Sequence, residues 1–358
     1  MTDGDRPTRD ERPNADEMNA IRVHEHGGAD ELAYEAVSRP EPTDDELLVR
    51  VRATGVNPID WMVREGYADD ALDPSLPYIP GWDLSGIVET VGGDVSAFQP
   101  GDSVFGLVRM PDPGNTYAEY AAVPAADVVS KPESLSHTAA ASVPMGALTA
   151  WHALFEEGNL QEEQRVLVHA AAGGVGHFAV QFADYIGAHV IGTASGRNER
   201  YLRKLGVDEF VNYRDQRFET VVDGVDVLLD AIGDETLARS IDVVNEGGRL
   251  VTLPAPPSET VIERARDERN ATIHWFSVTP NAATLAKIRD LIDQGYVEPT
   301  VTDVWPLSEA RTAHRESERG HVRGKLVLEI GRERTSDDDR PAEPGRRAQT
   351  DRLDPPQD

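Results

Sequence analysis

The stretch VLVHAAAGGVGHFAVQ, Val166–Gln181, decides the fold of the second half of the chain. A short apolar strand leads into a segment whose apolar residues recur at helical spacing, with a glycine-rich turn between them. Ala171, Gly173 and Gly176 occupy the small-residue positions of a G-x-G-x-x-G pattern. Small residues let the backbone approach a pyrophosphate, and the helix N-terminus offers N–H groups to its oxygens. The stretch predicts a dinucleotide site, with a plain strand-to-helix turn as the alternative.

The remainder of the second half alternates strands with helices. Helices are predicted at Val175–Ile186, at Asn198–Leu205 and, as the final one, at Asn281–Gln294. The predicted strands are Val166–His169, His189–Thr193, Glu209–Asn212, Val225–Asp230, Arg249–Leu253 and Thr272–Val278. This alternation is typical of a doubly wound parallel sheet with right-handed crossovers.

The first half, about residues 18–143, is rich in short strands separated by Gly, Pro and Asp. The predicted strands are Ile21–Val23, Leu47–Ala53, Leu84–Val91, Ser103–Phe105 and Tyr120–Val123. Several short strands at this spacing favour a barrel-like β domain. The fold class is therefore α/β, with a β-rich domain followed by a parallel-sheet domain.

The residues after the second strand of the parallel sheet indicate which dinucleotide binds. Enzymes that use NAD carry an acidic side chain there, which accepts a hydrogen bond from the ribose 2′-hydroxyl. The segment Gly192–Asn198 contains no acid, whereas Ser195 and Arg197 suit a 2′-phosphate. The hypothesis is therefore NADPH; a solvated Arg197 at the start of a helix is the alternative.

The composition restricts the classes of partner and metal site. The 358 residues include no cysteine, which excludes disulfides, thiolate nucleophiles and zinc sites built on sulfur. A formal net charge of −29 repels phosphates and anionic lipids, so we expect neither nucleic acid nor membrane as a partner. The only lysines are Lys131, Lys204, Lys287 and Lys325. An acidic surface with few lysines is typical of a halophilic protein; an ordinary protein with acidic tails is the alternative.

Both ends of the chain are polar and charged. Residues 1–17 and 332–358 have too few apolar side chains to offset the entropy of ordering, so we expect both to be disordered. The first 20 residues lack the apolar run of a signal peptide, and apolar stretches elsewhere are too short to span a bilayer. These features predict a cytoplasmic protein.

The order of several motifs resembles the medium-chain dehydrogenase/reductase superfamily, and most closely its quinone oxidoreductase-like, zeta-crystallin-like branch. The resemblance extends over about residues 18–331. The segments that carry it are MNAIRVHEHGG, GVNPIDWMVREGY, IPGWDLSGIVETVG, GDSVFG, TYAEYAAVPA, ALTAWHAL, the glycine-rich turn and GKLVLEI.

The resemblance implies a domain organisation. Residues 18–145 would form a GroES-like catalytic domain, and residues 146–300 a Rossmann NADP-binding domain. Residues 301–331 would return to complete the catalytic domain. Members of the branch are commonly homodimers or homotetramers, often joined through an edge strand that corresponds to Thr272–Val278.

One departure from the superfamily concerns zinc. Its zinc alcohol dehydrogenases have a cysteine where this chain has Asn57, and a His-Glu pair where it has Trp82 and Asp83. An amide and an indole do not replace a thiolate and an imidazole as zinc ligands. The four-cysteine structural zinc lobe is also missing. The sequence therefore predicts no metal site.

The resemblance also assigns candidate site residues. Asn57 and Tyr67 are the catalytic candidates, Asn57 as a hydrogen-bond partner of the nicotinamide carboxamide or of the acceptor oxygen, and Tyr67 as a proton donor to the reduced product. For Tyr67, packing in the cleft wall is the alternative; for Asn57, capping of its own loop. Candidate cofactor-binding residues are Pro58, Thr149, Ala171, Gly173, Gly174, Val175, Gly176, Ser195, Arg197, Tyr213, Ile232, Leu253, Phe276, Val278 and Lys325. His169, inside the first strand of the sheet, is expected to be a satisfied buried residue rather than a base.

Without a metal, the acceptors that are easiest to reduce are already activated by conjugation. The leading hypothesis is an NADPH-dependent, zinc-independent oxidoreductase that reduces quinones or other conjugated carbonyl compounds. A reductase of enoyl or alkene double bonds is the second. A non-catalytic NADPH-binding protein is the third.

Overall fold

The computed structural model describes residues 16–67, 72 and 74–331. The two predicted disordered ends lie outside these residues, except for Asp16 and Glu17, and Glu17 begins the first strand. Fifteen strands are described: β1 Glu17–Val23, β2 Leu32–Ser38, β3 Glu46–Val56, β4 Asp83–Val91, β5 Ser103–Leu107, β6 Tyr120–Pro124, β7 Val128–Ser130, β8 Arg165–Val168, β9 His189–Ala194, β10 Glu209–Asn212, β11 Val225–Asp230, β12 Val244–Thr252, β13 Thr272–Trp275, β14 Val301–Pro306 and β15 Lys325–Glu329.

The described α-helices are nine in number. They are α1 Pro58–Glu65, α2 His137–Ala141, α3 Pro144–Trp151, α4 Gly176–Tyr185, α5 Glu199–Lys204, α6 Asp234–Ser240, α7 Glu259–Arg269, α8 Ala282–Asp293 and α9 Ala310–Glu318. A π-helical turn, His152–Glu157, continues α3. None of the described helices has the length and apolar character needed to cross a membrane.

The second half of the chain forms a parallel six-stranded sheet in the order β10-β9-β8-β11-β12-β13. Its strands are short and apolar because helices cover both faces. The chain leaves β8 at the centre and returns in both directions, which places the carboxyl ends of β8 and β11 beside each other. Ligands of such sheets bind at this switch of direction. The predicted Rossmann architecture is confirmed.

The first half forms a seven-stranded, mostly antiparallel sheet in the order β14-β15-β3-β4-β5-β7, with β6 also paired to β3 and β1–β2 as a separate hairpin. Strands β14 and β15 come from the end of the described chain, and β15 pairs antiparallel with β3. The register places Leu326 opposite Val56. Lys325 and Asn57, each one residue beyond that pair, are therefore brought together.

Two predictions about the elements were wrong. The strand predicted at Thr272–Val278 ends at Trp275, since Phe276 turns away to stack on His152 with ring centroids 4.1 Å apart. The helix at Asn281–Gln294 is not the final one, because α9 follows it. Helix α9 is short and charged, and its buried residues, such as His314, are few. That composition hides a helix from a search for apolar periodicity.

Candidate active site

The glycine-rich turn between β8 and α4 is tightly closed. Ala170 has φ +50°, an unusual value for a residue with a side chain, and its carbonyl accepts the N–H of Gly173 at 2.8 Å. At Gly176, a Cβ would stand 2.4 Å from the Ala170 carbonyl oxygen and 2.7 Å from the Ala171 Cα. Only glycine fits there, because both obstacles are backbone atoms. Ala171 and Gly173 thus lie in a tight turn between β8 and α4, and Gly176 begins α4; their contact with a dinucleotide stays a prediction.

Residues 301–331, here called the return segment, pack against this turn. The N–H of Gly324 donates to the Ala172 carbonyl at 2.8 Å, and the N–H of Lys325 donates to the Thr300 carbonyl at 2.8 Å. A Cβ on Gly174 would stand 3.2 Å from the Lys325 Cδ, so the lysine stem lies against the turn. Residues 324–329 thereby join the glycine-rich turn to the seven-stranded sheet, in which β15 pairs with β3.

His177 forms hydrogen bonds to both sides of the same junction. Its Nδ1–H donates to the Gly173 carbonyl at 2.8 Å, and its Nε2 accepts the N–H of Thr300 at 3.4 Å. One nitrogen donates and the other accepts, which requires the neutral ring. Burial, the largest cause, lowers the pKa of His177 to about 4 and agrees with that requirement.

Asn57, Asp83 and Lys325 form a buried polar cluster beside the turn. The Lys325 Nζ donates to the Asn57 Oδ1, and the Asn57 Nδ2 donates to the Asp83 Oδ2 at 3.0 Å. The Lys325 Nζ lies 3.5 Å from the same carboxylate oxygen. The second oxygen of Asp83 accepts the N–H of Met145, near the start of α3, at 2.7 Å. Gly55 leaves the room for this carboxylate, since a Cβ there would stand 2.5 Å from the Asp83 Oδ2.

A chain of hydrogen bonds continues from Asn57 into the catalytic domain. Its N–H donates to the Asp60 Oδ2 at 2.7 Å, and the Tyr117 hydroxyl donates to the same oxygen at 3.0 Å. His314 Nε2 lies 3.2 Å from the Tyr117 hydroxyl, and the buried Arg64 guanidinium donates to His314 Nδ1 at 3.0 Å. Arginine only donates, so His314 is neutral and its Nε2–H points to Tyr117. These bonds tie α1 to α9 of the return segment.

Within this hydrogen-bond network, Asp60 is the group that changes charge near neutral pH. Its side chain is buried, and its Oδ1 has no hydrogen-bond partner among the described residues. Burial, the largest cause, raises the pKa of Asp60 from 3.8 to about 7, although hydrogen bonds from Asn57 and Tyr117 act against it. A buried carboxyl with an unpaired oxygen is less costly when it is protonated.

Replacing Asp60 should therefore change how stability depends on pH. Folding favours the protonated carboxyl, so this group contributes stability that is complete below about pH 4 and is lost as pH rises towards 7. The Asp60→Asn variant keeps an oxygen to accept both hydrogen bonds but does not titrate. Chemical denaturation at pH 5 and pH 8 should show wild type losing about 2.5 kcal/mol relative to the variant between the two pH values. Parallel pH profiles of the two proteins would contradict the assignment.

The far end of the predicted nucleotide site lies where β9 and β10 end. Ser195 directly follows β9 and is buried, while Arg197 is exposed in the next turn, with its guanidinium on the His321 carbonyl at 3.0 Å. Tyr213 follows β10 and is 47% exposed, and its N–H donates to the Ala194 carbonyl at 3.3 Å. The structure thus brings these three predicted residues together at one edge of the sheet.

Arg323 stands at the same edge and was missed by the sequence prediction. Its Nε donates to the Asn198 Oδ1 at 2.9 Å, and a terminal nitrogen reaches the Arg197 carbonyl at 3.4 Å. Its guanidinium also covers the Tyr201 ring, 5.0 Å from the ring centre. Arg323 lies 126 residues from Arg197 in sequence, so only the path of the return segment brings the two together. Its place next to GKLVLEI is the one sequence feature that points to it.

The remaining predicted cofactor residues occupy several places around the turn. Thr149 is buried in α3, where its hydroxyl donates to the Met145 carbonyl at 2.7 Å, and Val175 is the residue before α4. Pro58 is exposed at the first position of α1. Ile232 is exposed after β11. Leu253, Phe276 and Val278 are half-buried and pack against the main core.

The two catalytic candidates have contrasting environments. Asn57 is buried and bonded to charged groups, so its side chain does more than cap its own loop. Tyr67 lies two residues after the end of α1, beyond Gly66, and is 72% exposed. Its role as a proton donor stays a prediction. His169 is buried with Thr193 and Ser240 hydroxyls 3.0 Å from its two nitrogens, as expected of a structural histidine.

Comparison with known proteins agrees with this geometry. The model of the alcohol dehydrogenase GroES-like domain matches residues 43–133, and that of the zinc-binding dehydrogenase family matches residues 205–328. The chain is 33% identical to the zebrafish (Danio rerio) mitochondrial NAD(P)H oxidoreductase RTN4IP1 over 80% of its own length and 84% of the relative. It is 31% identical to the mouse (Mus musculus) quinone oxidoreductase over 87% of its length and 97% of that protein.

The chain belongs to the quinone oxidoreductase-like family of medium-chain dehydrogenases/reductases. Family membership makes it an oxidoreductase of the NAD(P)H-dependent type. The solved quinone oxidoreductase of Coxiella burnetii superimposes on the present chain with a TM-score of 0.83 and 35% identity. The match covers 88% of the present chain and 99% of the Coxiella protein.

Two further solved structures bear on cofactor and reaction. A mycobacterial structure in complex with NADPH has a TM-score of 0.78 and 28% identity over 87% of this chain and 99% of that one. The CurK enoyl reductase has a TM-score of 0.80 and 27% identity over 88% of this chain and 99% of that one. The family therefore includes relatives from both of the reductase classes considered above.

Proposed function

We propose that this protein is an NADPH-dependent, zinc-independent reductase of quinones and related conjugated carbonyl compounds. The carrying observation is the Lys325 ammonium between Asn57 and Asp83, two of the positions at which zinc enzymes of the superfamily hold or neighbour their metal. The Lys325 ammonium balances the charge of the Asp83 carboxylate and also donates a hydrogen bond to the Asn57 side-chain oxygen. This cluster supports chemistry without a metal at that position.

The residues present fit a bound dinucleotide. Gly173 and Gly174 lie in the turn and have no side chains that would keep a pyrophosphate away. Helix α4 begins at Gly176, so the N–H groups of its first residues face the turn. When bound, reduced nicotinamide supplies a hydride; the chain's residues hold the cofactor and orient the acceptor. Half-buried Phe276 and Val278 offer apolar side chains that suit the nicotinamide end.

The preference for NADPH over NADH rests on the edge where β9 ends. There the Asn198 side chain bonds both the Arg323 guanidinium and the Ser195 hydroxyl, and the Arg197 guanidinium donates to the His321 carbonyl. No acidic residue occurs between Gly192 and Asn198 to accept a ribose 2′-hydroxyl. Two guanidinium groups and a hydroxyl match the charge and the oxygens of a 2′-phosphate.

The acceptor class follows from the groups that the cleft provides. An isolated ketone needs strong polarisation by a Lewis acid or a positioned proton donor, and zinc takes this role in the metal-dependent enzymes. Quinones and enones spread the developing negative charge over a conjugated system, so hydrogen bonds and positioning suffice. Reduction of an enoyl double bond uses the same logic, and the likeness to CurK enoyl reductase keeps it as the second candidate.

The test is oxidation of NADPH by wild type with a panel of quinones and enones, in high salt, with and without a chelator. We expect turnover that survives chelation and is slower with NADH at equal concentration. Product analysis separates hydroquinone from saturated carbonyl and so decides between the two candidates. Tight NADPH binding without turnover of any acceptor would favour a binding protein. Loss of activity on chelation would contradict the zinc-independent mechanism.

A further inference from the structure

The side-chain amide of Asn57 is held from both ends by charged groups. Its Oδ1 accepts from the Lys325 ammonium, and one Nδ2–H donates to the Asp83 carboxylate at 3.0 Å. Ammonium groups only donate and carboxylates only accept, so the amide cannot flip. Among the described residues, no partner takes the second Nδ2–H. Asn57 can therefore offer a hydrogen-bond donor to a bound molecule and cannot offer its oxygen.

The two charged groups are themselves fixed in place. Asp83 is fully buried and its other oxygen is bonded to the Met145 N–H at 2.7 Å. Lys325 is 4% exposed, and its stem lies against Gly174 of the nucleotide turn. Water does not compete effectively for such buried bonds, and the low polarizability of the surroundings strengthens them. The amide is thus oriented before any ligand arrives.

We propose that Lys325 and Asp83 are positioning residues that present the second Nδ2–H of Asn57 to the carbonyl oxygen of the conjugated acceptor. This inference rests on the proposed reductase function and specifies how its site meets the substrate. The positive charge on the oxygen side of the amide draws electron density from the nitrogen and makes that N–H a stronger donor. A donor fixed in advance is most effective where negative charge develops during the reaction.

The reaction balances with this role. The C4–H bond of the reduced nicotinamide breaks as a C–H or O–H bond forms on the acceptor, and two electrons pass with the hydride. The nicotinamide is oxidised to the cation, and the acceptor becomes an enolate or a hydroquinone anion. Asn57 stabilises the oxygen of that anion by a hydrogen bond and transfers no proton; water supplies the proton that completes the product.

The choice of residue at position 325 agrees with a specific role. The chain uses 31 arginines and only four lysines, so a general need for positive charge is met by arginine. Against Gly174, where a Cβ would already be 3.2 Å from the lysine stem, a guanidinium fork has less room than a compact ammonium. The other described lysines stand outside the cluster, and Lys287 is exposed on α8.

The test compares Lys325→Met, Asn57→Ala and the double variant with wild type, using Lys287→Met as the matched control. Each single variant should lower kcat for the acceptor about 10- to 100-fold. The dissociation constant for NADPH, measured by fluorescence, should stay within about twofold. The double variant should be no slower than Asn57→Ala, because Lys325 acts through Asn57. Lys287→Met should behave as wild type.

Three results would overturn the inference. One is an unchanged kcat in Lys325→Met while wild type turns over, which leaves the proposed function intact. Another is a loss in the double variant equal to the product of the single losses, which would separate Lys325 from Asn57. The third is weaker NADPH binding at unchanged kcat, which would place the contact on the cofactor. If Lys325→Met does not fold, Asn57→Ala decides, since it keeps the Lys325–Asp83 pair. Absence of wild-type turnover overturns both proposals.

Discussion

Substitution of Gly176 by alanine is expected to weaken NADPH binding about 10- to 100-fold, the equivalent of about 1.4–3 kcal/mol. The added Cβ would stand 2.4 Å from the Ala170 carbonyl oxygen and 2.7 Å from the Ala171 Cα. Neither backbone atom can move without opening the turn or displacing α4, so the pyrophosphate loses its closely fitting N–H groups. Fluorescence titration with NADPH measures the loss, and thermal unfolding should show a lower Tm as well.

Gly28→Ala is the matched control for this prediction. Gly28 is exposed in the catalytic domain, its φ of −71° suits any residue, and nothing lies within 4 Å of the added Cβ. It should bind NADPH as wild type does. Equal affinity in the two alanine variants would show that the turn does not hold the pyrophosphate.

The second large effect concerns the choice between NADPH and NADH. Arg197→Ala and Arg323→Ala should each raise the KM for NADPH about 10- to 100-fold, because each removes a charge-assisted hydrogen bond to the 2′-phosphate. The KM for NADH should hardly change, since that cofactor lacks the phosphate. Steady-state kinetics with both cofactors measures the ratio.

Arg217→Ala provides the control for a lost surface charge, because its side chain is 71% exposed and paired with Glu219. Its ratio of NADPH to NADH efficiency should equal that of wild type. The assignment fails if Arg323→Ala weakens NADPH and NADH equally. Such a result would leave Arg323 as a link between the return segment and Asn198.

The nucleotide-binding half could be predicted from sequence because its signals are local. Strand, turn and helix follow one another within Val166–Gln181, and a fixed spacing of small residues fills a fixed geometry. The expected preference for NADPH also rests on a local signal, since no acidic residue follows β9 between Gly192 and Asn198. A motif of this kind requires no knowledge of the tertiary fold, and the structure has the predicted strand, turn and helix in that order.

The polar cluster at the catalytic side could not be found in this way. Lys325 lies 268 residues from Asn57 and 242 from Asp83, and the contact depends on the pairing of β15 with β3. Sequence comparison with zinc enzymes identified Asn57 and Asp83 as departures but gave no partner for them. Register between distant strands depends on the packing of the whole sheet, which one sequence does not display.

Helix α9 and Arg323 escaped prediction for related reasons. The buried face of α9 consists of two alanines and His314, too little apolar surface to mark a helix. Arg323 is one of 31 arginines, and composition alone does not distinguish it from the others. Its position beside Asn198 and Arg197 becomes visible only when the return segment crosses the edge of the parallel sheet.

The most direct test of the central claim is to follow deuterium from NADPH that carries deuterium at both C4 positions into the product of a conjugated acceptor, with a chelator present. The account predicts that the label leaves the cofactor in every turnover, with a primary isotope effect on single-turnover NADPH oxidation. With an enone acceptor, it should appear on carbon in the saturated product. Tight binding of labelled NADPH with no transfer to any quinone or enone would contradict the account.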